Sequence, residues 1–186
     1  MGQTWAGDGS AHKGSMGAGS VCHQHPGQHT VVRVSREEEG ISSLRPELAA
    51  VASTLQVVAL KDDLLYLCDS EATLDIINRW IGAGPRATLA GDVNADIMWA
   101  ILNCLQQRVN CGARTILVKI KAHRGEPLNE RADSEAEAAR TLPAECHQWT
   151  RRTSRMTYEW QDKGTTWTSV WSKGVRKAMQ KGGANF

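Results

Sequence analysis

The sequence lacks the features that mark several protein classes. Its five cysteines (Cys22, Cys68, Cys104, Cys111 and Cys146) form no C-x-x-C pair and are odd in number, so neither a structural zinc site nor a disulfide framework is predicted. No apolar run approaches membrane-spanning length, and the N-terminus has no basic and apolar signal pattern. We therefore expect an intracellular protein, of the cytoplasm or nucleus, with reduced thiols and no membrane partner.

Charge is distributed unevenly along the 186 residues, a length that allows one domain and an appendage. Residues 141–186 hold 8 of the 22 basic residues but 3 of the 20 acidic ones, so this segment carries +5 and the rest of the chain −3. A basic tail on an acidic body predicts that attraction to phosphates is concentrated at the C-terminus. A merely solvated tail would have the same composition.

Strand and helix patterns alternate along the body. Strands are predicted over 3–8, over a hairpin of 21–35 that turns at Pro26-Gly27, over the apolar run 64–68 and over 114–122. Helices are predicted to begin near Ser42 or Ser43, at Ser70 and at Asp92 or Asn94. Three antiparallel strands, followed by two strands separated by helices, predict an α/β mixed sheet of five.

Four acidic residues lie in settings that favour a common site. Asp8 ends a strand, Glu47 opens a helix, Asp69 ends an apolar strand, and Asp133 is predicted in the first turn of an alanine-rich helix that follows a loop carrying His123. Alone, Asp69 is explained as a helix cap and Glu47 as a favourable charge at a helix start. If the strands of Asp8 and Asp69 are parallel neighbours, their ends lie roughly 5 Å apart and the two carboxylates meet at one sheet edge.

In order and spacing, these residues resemble the ribonuclease H family, including the ribonuclease H domains of retroelement reverse transcriptases. The resemblance covers residues 3–140 and rests on four motifs: Gly7-Asp8-Gly9-Ser10, Arg45-Pro46-Glu47-Leu48-Ala49-Ala50, Leu67-Cys68-Asp69-Ser70, and His123 through Asp133. It implies a ribonuclease H-like five-stranded mixed sheet with flanking helices as a catalytic domain over residues 1–140. A small, basic, Trp-rich C-terminal extension would follow over 141–186.

The resemblance also implies a reaction, which is endonucleolytic hydrolysis of the RNA strand of an RNA/DNA hybrid to 5′-phosphate and 3′-hydroxyl ends. Asp8, Glu47, Asp69 and Asp133 would hold two Mg²⁺ ions, with Asp8 bridging them and Mn²⁺ as an alternative ion. His123 would assist proton transfer or product release. Weaker candidates for substrate contacts are Ser10, Ser43, Ser70 and Asn129. Elementary chemistry agrees, because clustered carboxylates repel one another unless cations neutralise them, and oxygen ligands favour these hard ions.

One segment departs from the family pattern. Bacterial members carry a basic, tryptophan-bearing protrusion that grips the hybrid after the second helix, whereas 82–91 here contains Arg86 as its single cation. We therefore expect weak hybrid affinity in the isolated body, as in retroelement enzymes that rely on a neighbouring reverse transcriptase domain.

The tail itself is predicted to form a hairpin about Asp162-Lys163-Gly164, with a loop of four or three residues, and then a short helix. Its tryptophans and cations suit stacking on nucleic acid, and covering the body's sheet or anchoring a partner domain are equal alternatives.

Two other functions remain open. One is another metal-dependent nuclease of the same fold, such as a resolvase or an integrase-like transposase. The other is a non-catalytic nucleic-acid-binding module descended from the enzyme. Glu47 in an early helix and His123 in a loop before the last acid favour ribonuclease H over the first, and retention of all four acids favours an enzyme over the second. A free-standing enzyme and a retrotransposon fragment are both compatible with the sequence.

Overall fold

The computed structural model describes residues 2–34, 43–83, 94–122, 125–143, 157–162 and 165–170, the last two ranges by their backbone. Within these ranges, no helix is both long and apolar enough to cross a membrane.

Three antiparallel strands begin the sheet: β1 (Gln3–His12), β2 (Ser15–Cys22) and β3 (His29–Val34). The hairpin between β1 and β2 was missed by the sequence prediction, which ended β1 at Asp8. Lys13 and Gly14 form its two-residue turn with φ of 48° and 88°, as the tight turns that match strand twist require. A lysine at positive φ is uncommon, so the turn had no recognisable signal.

Two parallel strands complete the sheet, β4 (Leu64–Cys68) beside β1 and β5 (Thr115–Lys119) beside β4. The order β3-β2-β1-β4-β5 confirms the predicted five-stranded mixed sheet, and β4 has the predicted bounds. The expected neighbours, β1 and β4, are paired through Ala6 and Leu67. β5 is shorter than the range predicted for it. The parallel pairing ends at Ala6 and Leu67, so it brings Asp8, which lies within β1, and Asp69, which follows β4, to one edge.

Helices cover both faces of the sheet. They are α1 (Leu44–Val57), α2 (Glu71–Ala83), α3 (Ala95–Asn110) and α4 (Pro127–Ala139). Neighbouring residues of a strand point to opposite faces, and accordingly Trp5 joins the main core with α1 and α3 while Ala6 packs with Leu128 and Ala132 of α4.

Close packing of α4 on β2 depends on two glycines. A Cβ on Gly17 would lie 2.6 Å from the backbone nitrogen of Arg140, and one on Gly19 would lie 2.7 Å from the carbonyl oxygen of Ala132. Both glycines lie inside β2 and under a helix. These contacts fix the height of α4 above the sheet and so the position of Asp133.

One expectation about the helices is corrected. Asp133 was predicted in the first turn of α4, but the helix begins at Pro127, because proline has no N–H to lose at that position and its fixed φ suits a helix start. Asp133 therefore belongs to the second turn.

A buried ion pair ties the start of α1 to α3. Arg45 donates from Nη1 and Nη2 to the two carboxylate oxygens of Asp96, over 3.0 and 2.9 Å, and both side chains are 3 % exposed. Such a two-bond pair fixes orientation as well as distance. Its effect is to hold the first turn of α1, which contains Glu47.

The tail contributes a separate two-stranded sheet of β6 (Thr157–Asp162) and β7 (Thr165–Val170). Asp162 pairs with Thr165 and Trp160 with Trp167, so two residues separate the strands rather than the four or three predicted. The predicted short helix lies outside the described residues.

Candidate active site

Two of the predicted acids stand side by side at the carboxyl ends of parallel strands. Asp8 is 8 % exposed in the second half of β1, and Asp69 follows β4 directly. Each lies two residues beyond the paired Ala6 and Leu67, so the register brings them level. The ends of parallel strands in such a sheet are the usual location of a site.

Glu47 reaches this edge because α1 begins almost on top of β1. A Cβ at Gly9 would lie 2.6 Å from the carbonyl carbon of Pro46 and would overlap the backbone nitrogen of Glu47. Glycine at position 9 therefore permits a contact between backbones that no other residue allows. The contact places the acid of the helix start beside the acid of the strand.

The three carboxylates form one group. Single ligand oxygens of Asp8, Glu47 and Asp69 lie within 4.8 Å of one another. The backbone N–H of Gly9 donates to Asp8 Oδ1 over 2.7 Å, and a side-chain hydrogen bond joins Glu47 to Asp8.

Burial and mutual repulsion perturb two of the three acids. Burial, with the negative charge of Asp69 next in importance, raises the pKa of Asp8 to about 6, although the Gly9 N–H opposes the shift. Burial, followed by the charges of Asp8 and Asp69, raises the pKa of Glu47 to about 9. At neutral pH and without a cation, these shifts favour the protonated form of Glu47.

These donors fit a divalent cation. They are oxygens alone, which hard ions such as Mg²⁺ and Mn²⁺ prefer, and their raised pKa values report an excess of negative charge that a cation would relieve. Glu47 Oε2 is also buried without a hydrogen-bond partner among the described residues, as expected of a ligand atom. The group could accordingly bind a metal ion and act on a phosphodiester.

Asp133 stands at the rim of this group. It is exposed on α4 and is not one of the three acids that lie within 4.8 Å. After burial and the charge of Asp69, the charge of Asp133 also raises the pKa of Asp8, so Asp133 is close enough to interact electrostatically. His123, the remaining predicted catalytic residue, lies outside the described residues.

The four weaker candidates for substrate contacts lie in different surroundings. Ser10 is half-buried on β1 and Ser43 is exposed just before α1. Ser70 caps α2, because its Oγ accepts hydrogen bonds from the backbone N–H of Thr73 over 3.3 Å and from Thr73 Oγ1 over 2.9 Å. Asn129, 4 % exposed, donates from Nδ2 to Asp69 Oδ2 over 3.1 Å, so it contacts the site through an acid.

Sequence reasoning missed a cation at the same edge. Lys119, the last residue of β5, donates from Nζ to the backbone carbonyl oxygens of Asp69 and Ile120 over 2.7 and 2.8 Å. Its position at the carboxyl end of a strand parallel to β4 was the feature from which its place at the site could have been predicted. The lysine fixes the backbone of Asp69, so both the backbone and the carboxylate of that residue are held.

Replacing Glu47 with Gln is expected to stabilise the metal-free protein at pH 8. A carboxyl whose folded-state pKa is raised from 4.5 to about 9 contributes stability below pH 4.5 and loses it progressively as pH rises towards 9. Glutamine has no proton to lose, so we expect a gain on the order of 2 kcal/mol at pH 8, or roughly 4 to 8 °C in Tm, that vanishes by pH 5. Thermal unfolding in EDTA measures it.

The exposed Glu71 of α2 provides the control, since its replacement by Gln removes the same charge away from the cluster. A Glu47→Gln protein no more stable than wild type at pH 8 would contradict the electrostatic description of the site.

Comparison with known proteins agrees with this geometry. A family model described as RNase H matches residues 2–141, a range that contains the five-stranded sheet, all four helices and the clustered acids. No curated protein matches the chain. Membership of the matched family indicates ribonuclease activity on RNA/DNA hybrids. The family model covers most of the chain, and the chain therefore belongs to the ribonuclease H family.

Proposed function

We propose that the protein is an endoribonuclease that hydrolyses the RNA strand of RNA/DNA hybrids and leaves 5′-phosphate and 3′-hydroxyl ends. One observation carries the proposal. In a ribonuclease H domain, Asp8, Glu47 and Asp69 converge within 4.8 Å at the carboxyl edge of the sheet, which is where this family's chemistry requires them.

The acids would hold the ions in distinct ways. Asp8, the most buried of the three, would hold the ions together with Glu47 and Asp69, and Asp133 would contribute from the rim. Two bound Mg²⁺ or Mn²⁺ ions would supply water activation and stabilisation of the leaving oxygen in an in-line displacement. His123 would move a proton or help product leave.

Glu47 and Asp8 must be deprotonated before all the acids can bind the ions. Burial and mutual repulsion raise the pKa of both Glu47 and Asp8 in the metal-free protein, and a carboxylate binds metal in its ionised form. Asn129 holds Asp69 Oδ2 and Lys119 holds the Asp69 backbone, so Asp69 is already oriented as a ligand. The arrangement is therefore preorganised at Asp69 and completed by deprotonation at Glu47.

A substrate panel tests the proposal. Wild-type protein with Mg²⁺ or Mn²⁺ is expected to cut the RNA strand of a hybrid and to leave single-stranded RNA, duplex RNA and duplex DNA intact. Cleavage of duplex DNA or of a junction would instead indicate another nuclease of this fold. Hybrid binding without cleavage by either ion would indicate a non-catalytic binding module.

The basic tail is proposed to hold the substrate. Residues 141–186 carry +5 against −3 for the rest of the chain, and Trp160 is opposite Trp167 in the register of β6 and β7. A segment that combines aromatic residues with cations is typical of proteins that bind single-stranded nucleic acid. Because 82–91 contains Arg86 as its single cation, the tail would bind the hybrid in place of the basic protrusion that bacterial members carry. A neighbouring reverse transcriptase domain in a retroelement protein would be a natural partner.

Truncation after Pro143 is expected to weaken hybrid binding roughly tenfold at 0.1 M salt and to flatten the slope of log K against log salt by about 2, because several phosphate contacts are lost. Ending there retains Leu142, whose carbonyl oxygen accepts from Arg33 Nη1 over 2.7 Å. Fluorescence anisotropy across a salt series measures both quantities. Unchanged affinity and slope in a folded, truncated protein would refute the role of the tail, and an unchanged kcat is the control for an intact site.

A further inference from the structure

The ammonium group of Lys119 is held at the edge of the sheet where the three acids meet. Lys119 ends β5 opposite Cys68, the last residue of β4. Its Nζ donates to the backbone carbonyl oxygen of Asp69 over 2.7 Å and to that of Ile120 over 2.8 Å. Asp69 therefore contacts the ammonium through its backbone and belongs to the carboxylate group through its side chain.

The backbone at this edge does not need a charged side chain to hold it. The backbone N–H of Ile120 already donates to the carbonyl oxygen of Cys68 over 2.9 Å and joins the two strands. The carbonyl oxygens that Lys119 contacts belong to residues that are at least partly exposed, so water could serve them as a donor. Ordering a lysine side chain also costs up to about 2 kcal/mol in conformational entropy. The contacts explain where the ammonium is held, but not why a charged group is held there.

The charge of this ammonium has no local partner. Lys119 forms no ion pair within the part of the chain that the structure describes, although three carboxylates occupy the same edge. An ammonium group has three N–H donors, and the two carbonyl oxygens account for two of them. The residue is exposed. Lys119 thus presents one N–H donor and a positive charge to a molecule bound at the acids.

A phosphate oxygen is the acceptor that suits this group. Lysine binds phosphate as a point charge, and the two carbonyl contacts fix the position of that charge before anything binds. A nucleic-acid strand carries one phosphate per nucleotide, so a strand with one phosphate at the acids also brings the neighbouring phosphates along the same edge. The acids suit cations and the ammonium suits an anion, and the edge therefore offers both at adjacent positions.

We propose that Lys119 binds a phosphate of the RNA strand next to the phosphate that is cleaved at the acids. The inference rests on the proposed function, which brings that strand to this edge. The ammonium donates one charge-assisted hydrogen bond to a phosphate oxygen and so helps to orient the strand. A contact of this kind fixes position and carries no information about base sequence.

Lys119→Met tests the proposal because it removes the ammonium and keeps an unbranched stem. Hybrid binding at 0.1 M salt is expected to weaken roughly three- to tenfold, and the slope of log K against log salt to flatten by about 0.7 to 0.9, as for the loss of one phosphate contact. Fluorescence anisotropy in EDTA measures both without metal-dependent cleavage. With Mg²⁺, KM is expected to rise by a similar factor and kcat to change less than threefold, because Asn129 still donates to Asp69.

Two further variants separate the charge from its surroundings. Lys61→Met removes the same charge from an exposed lysine in the loop before β4, at the opposite edge of the sheet, and should leave affinity and slope unchanged. Lys119→Gln can still donate to a backbone carbonyl oxygen but has no charge. It should lose as much of the salt slope as Lys119→Met does.

Removing the phosphate instead of the lysine tests the contact from the other side. Hybrids are prepared in which a neutral methylphosphonate linkage replaces one phosphate of the RNA strand at a time, on either side of the cut. At one of these positions, binding by wild type is expected to weaken as much as Lys119→Met weakens it. Binding by Lys119→Met at that position should change less than twofold, because the two losses are the same contact.

An unchanged salt slope in folded Lys119→Met and Lys119→Gln would overturn the proposal even if kcat fell, because the lysine would then only hold the backbone of Asp69. Equal loss of affinity in Lys61→Met would overturn it too. So would methylphosphonate effects that are the same in wild type and Lys119→Met at every position.

The proposed function can fail separately. A protein whose hybrid binding depends on Lys119 but which cleaves no hybrid with either ion would support the phosphate contact and refute the nuclease assignment. A protein that cleaves hybrid and keeps its salt slope in Lys119→Met would do the reverse.

Discussion

Asp69→Asn is expected to lower hybrid cleavage by roughly 10³-fold or more, as removal of a central catalytic group does in other enzymes. The substitution exchanges a charged oxygen for an amide at a position whose other contacts are retained. Asn129 donates to Asp69 Oδ2 over 3.1 Å, and an asparagine at 69 can still turn its carbonyl oxygen towards that donor. The fold should therefore survive while metal binding is lost, and initial rates on labelled hybrid measure the effect.

Asp75→Asn removes an equal charge from the exposed face of α2 and serves as the control. It should cleave within twofold of wild type. If Asp69→Asn kept more than a tenth of wild-type activity, Asp69 could not be a ligand of an essential ion.

Gly9→Ala is expected to damage both stability and catalysis. A methyl group there would lie 2.6 Å from the Pro46 carbonyl carbon and 2.9 Å from Glu47 Cα, and these are backbone atoms that move only if α1 moves. Overpacking of this kind costs about 1–3 kcal/mol. A displacement of Glu47 approaching 1 Å can cost on the order of 10²-fold in rate. Denaturant unfolding and hybrid cleavage measure the two effects.

Gly27→Ala is the control for the loss of glycine itself, because a Cβ at Gly27 meets nothing within 4 Å. It should leave both measurements near wild type. If Gly9→Ala were as active and as stable as Gly27→Ala, the close approach of α1 to β1 could not be what positions Glu47.

The sequence predicted that Asp8 and Asp69 meet on one condition, which is that their strands are parallel neighbours. Each acid ends a recognisable strand pattern, and the ends of neighbouring parallel strands share an edge. The structure meets the condition, because β1 pairs with β4. Glu47 could be assigned to the site only through the family resemblance, because an acid in the first turn of a helix is also explained by its favourable interaction with the helix dipole.

Residues that act across elements were not predictable in this way. The ion pair of Arg45 with Asp96 joins two helices, and each residue alone resembles a solvent-exposed charge at a helix start. The first hairpin was not predicted because its turn contains Lys13, a residue type that is unusual at positive φ. Tyr66 packs against Gly7. The sequence alone does not reveal this contact, because it depends on the pairing of β1 with β4.

The most direct test follows the RNA strand of a hybrid in which that strand alone is labelled, incubated with full-length wild-type protein and Mg²⁺ or Mn²⁺, with EDTA as the parallel reaction. The proposed function predicts internal cleavage of the RNA that requires the ion and leaves 5′-phosphate and 3′-hydroxyl ends, with the DNA strand intact. Cleavage that persists in EDTA, or an RNA strand left whole by folded protein with either ion, would contradict it.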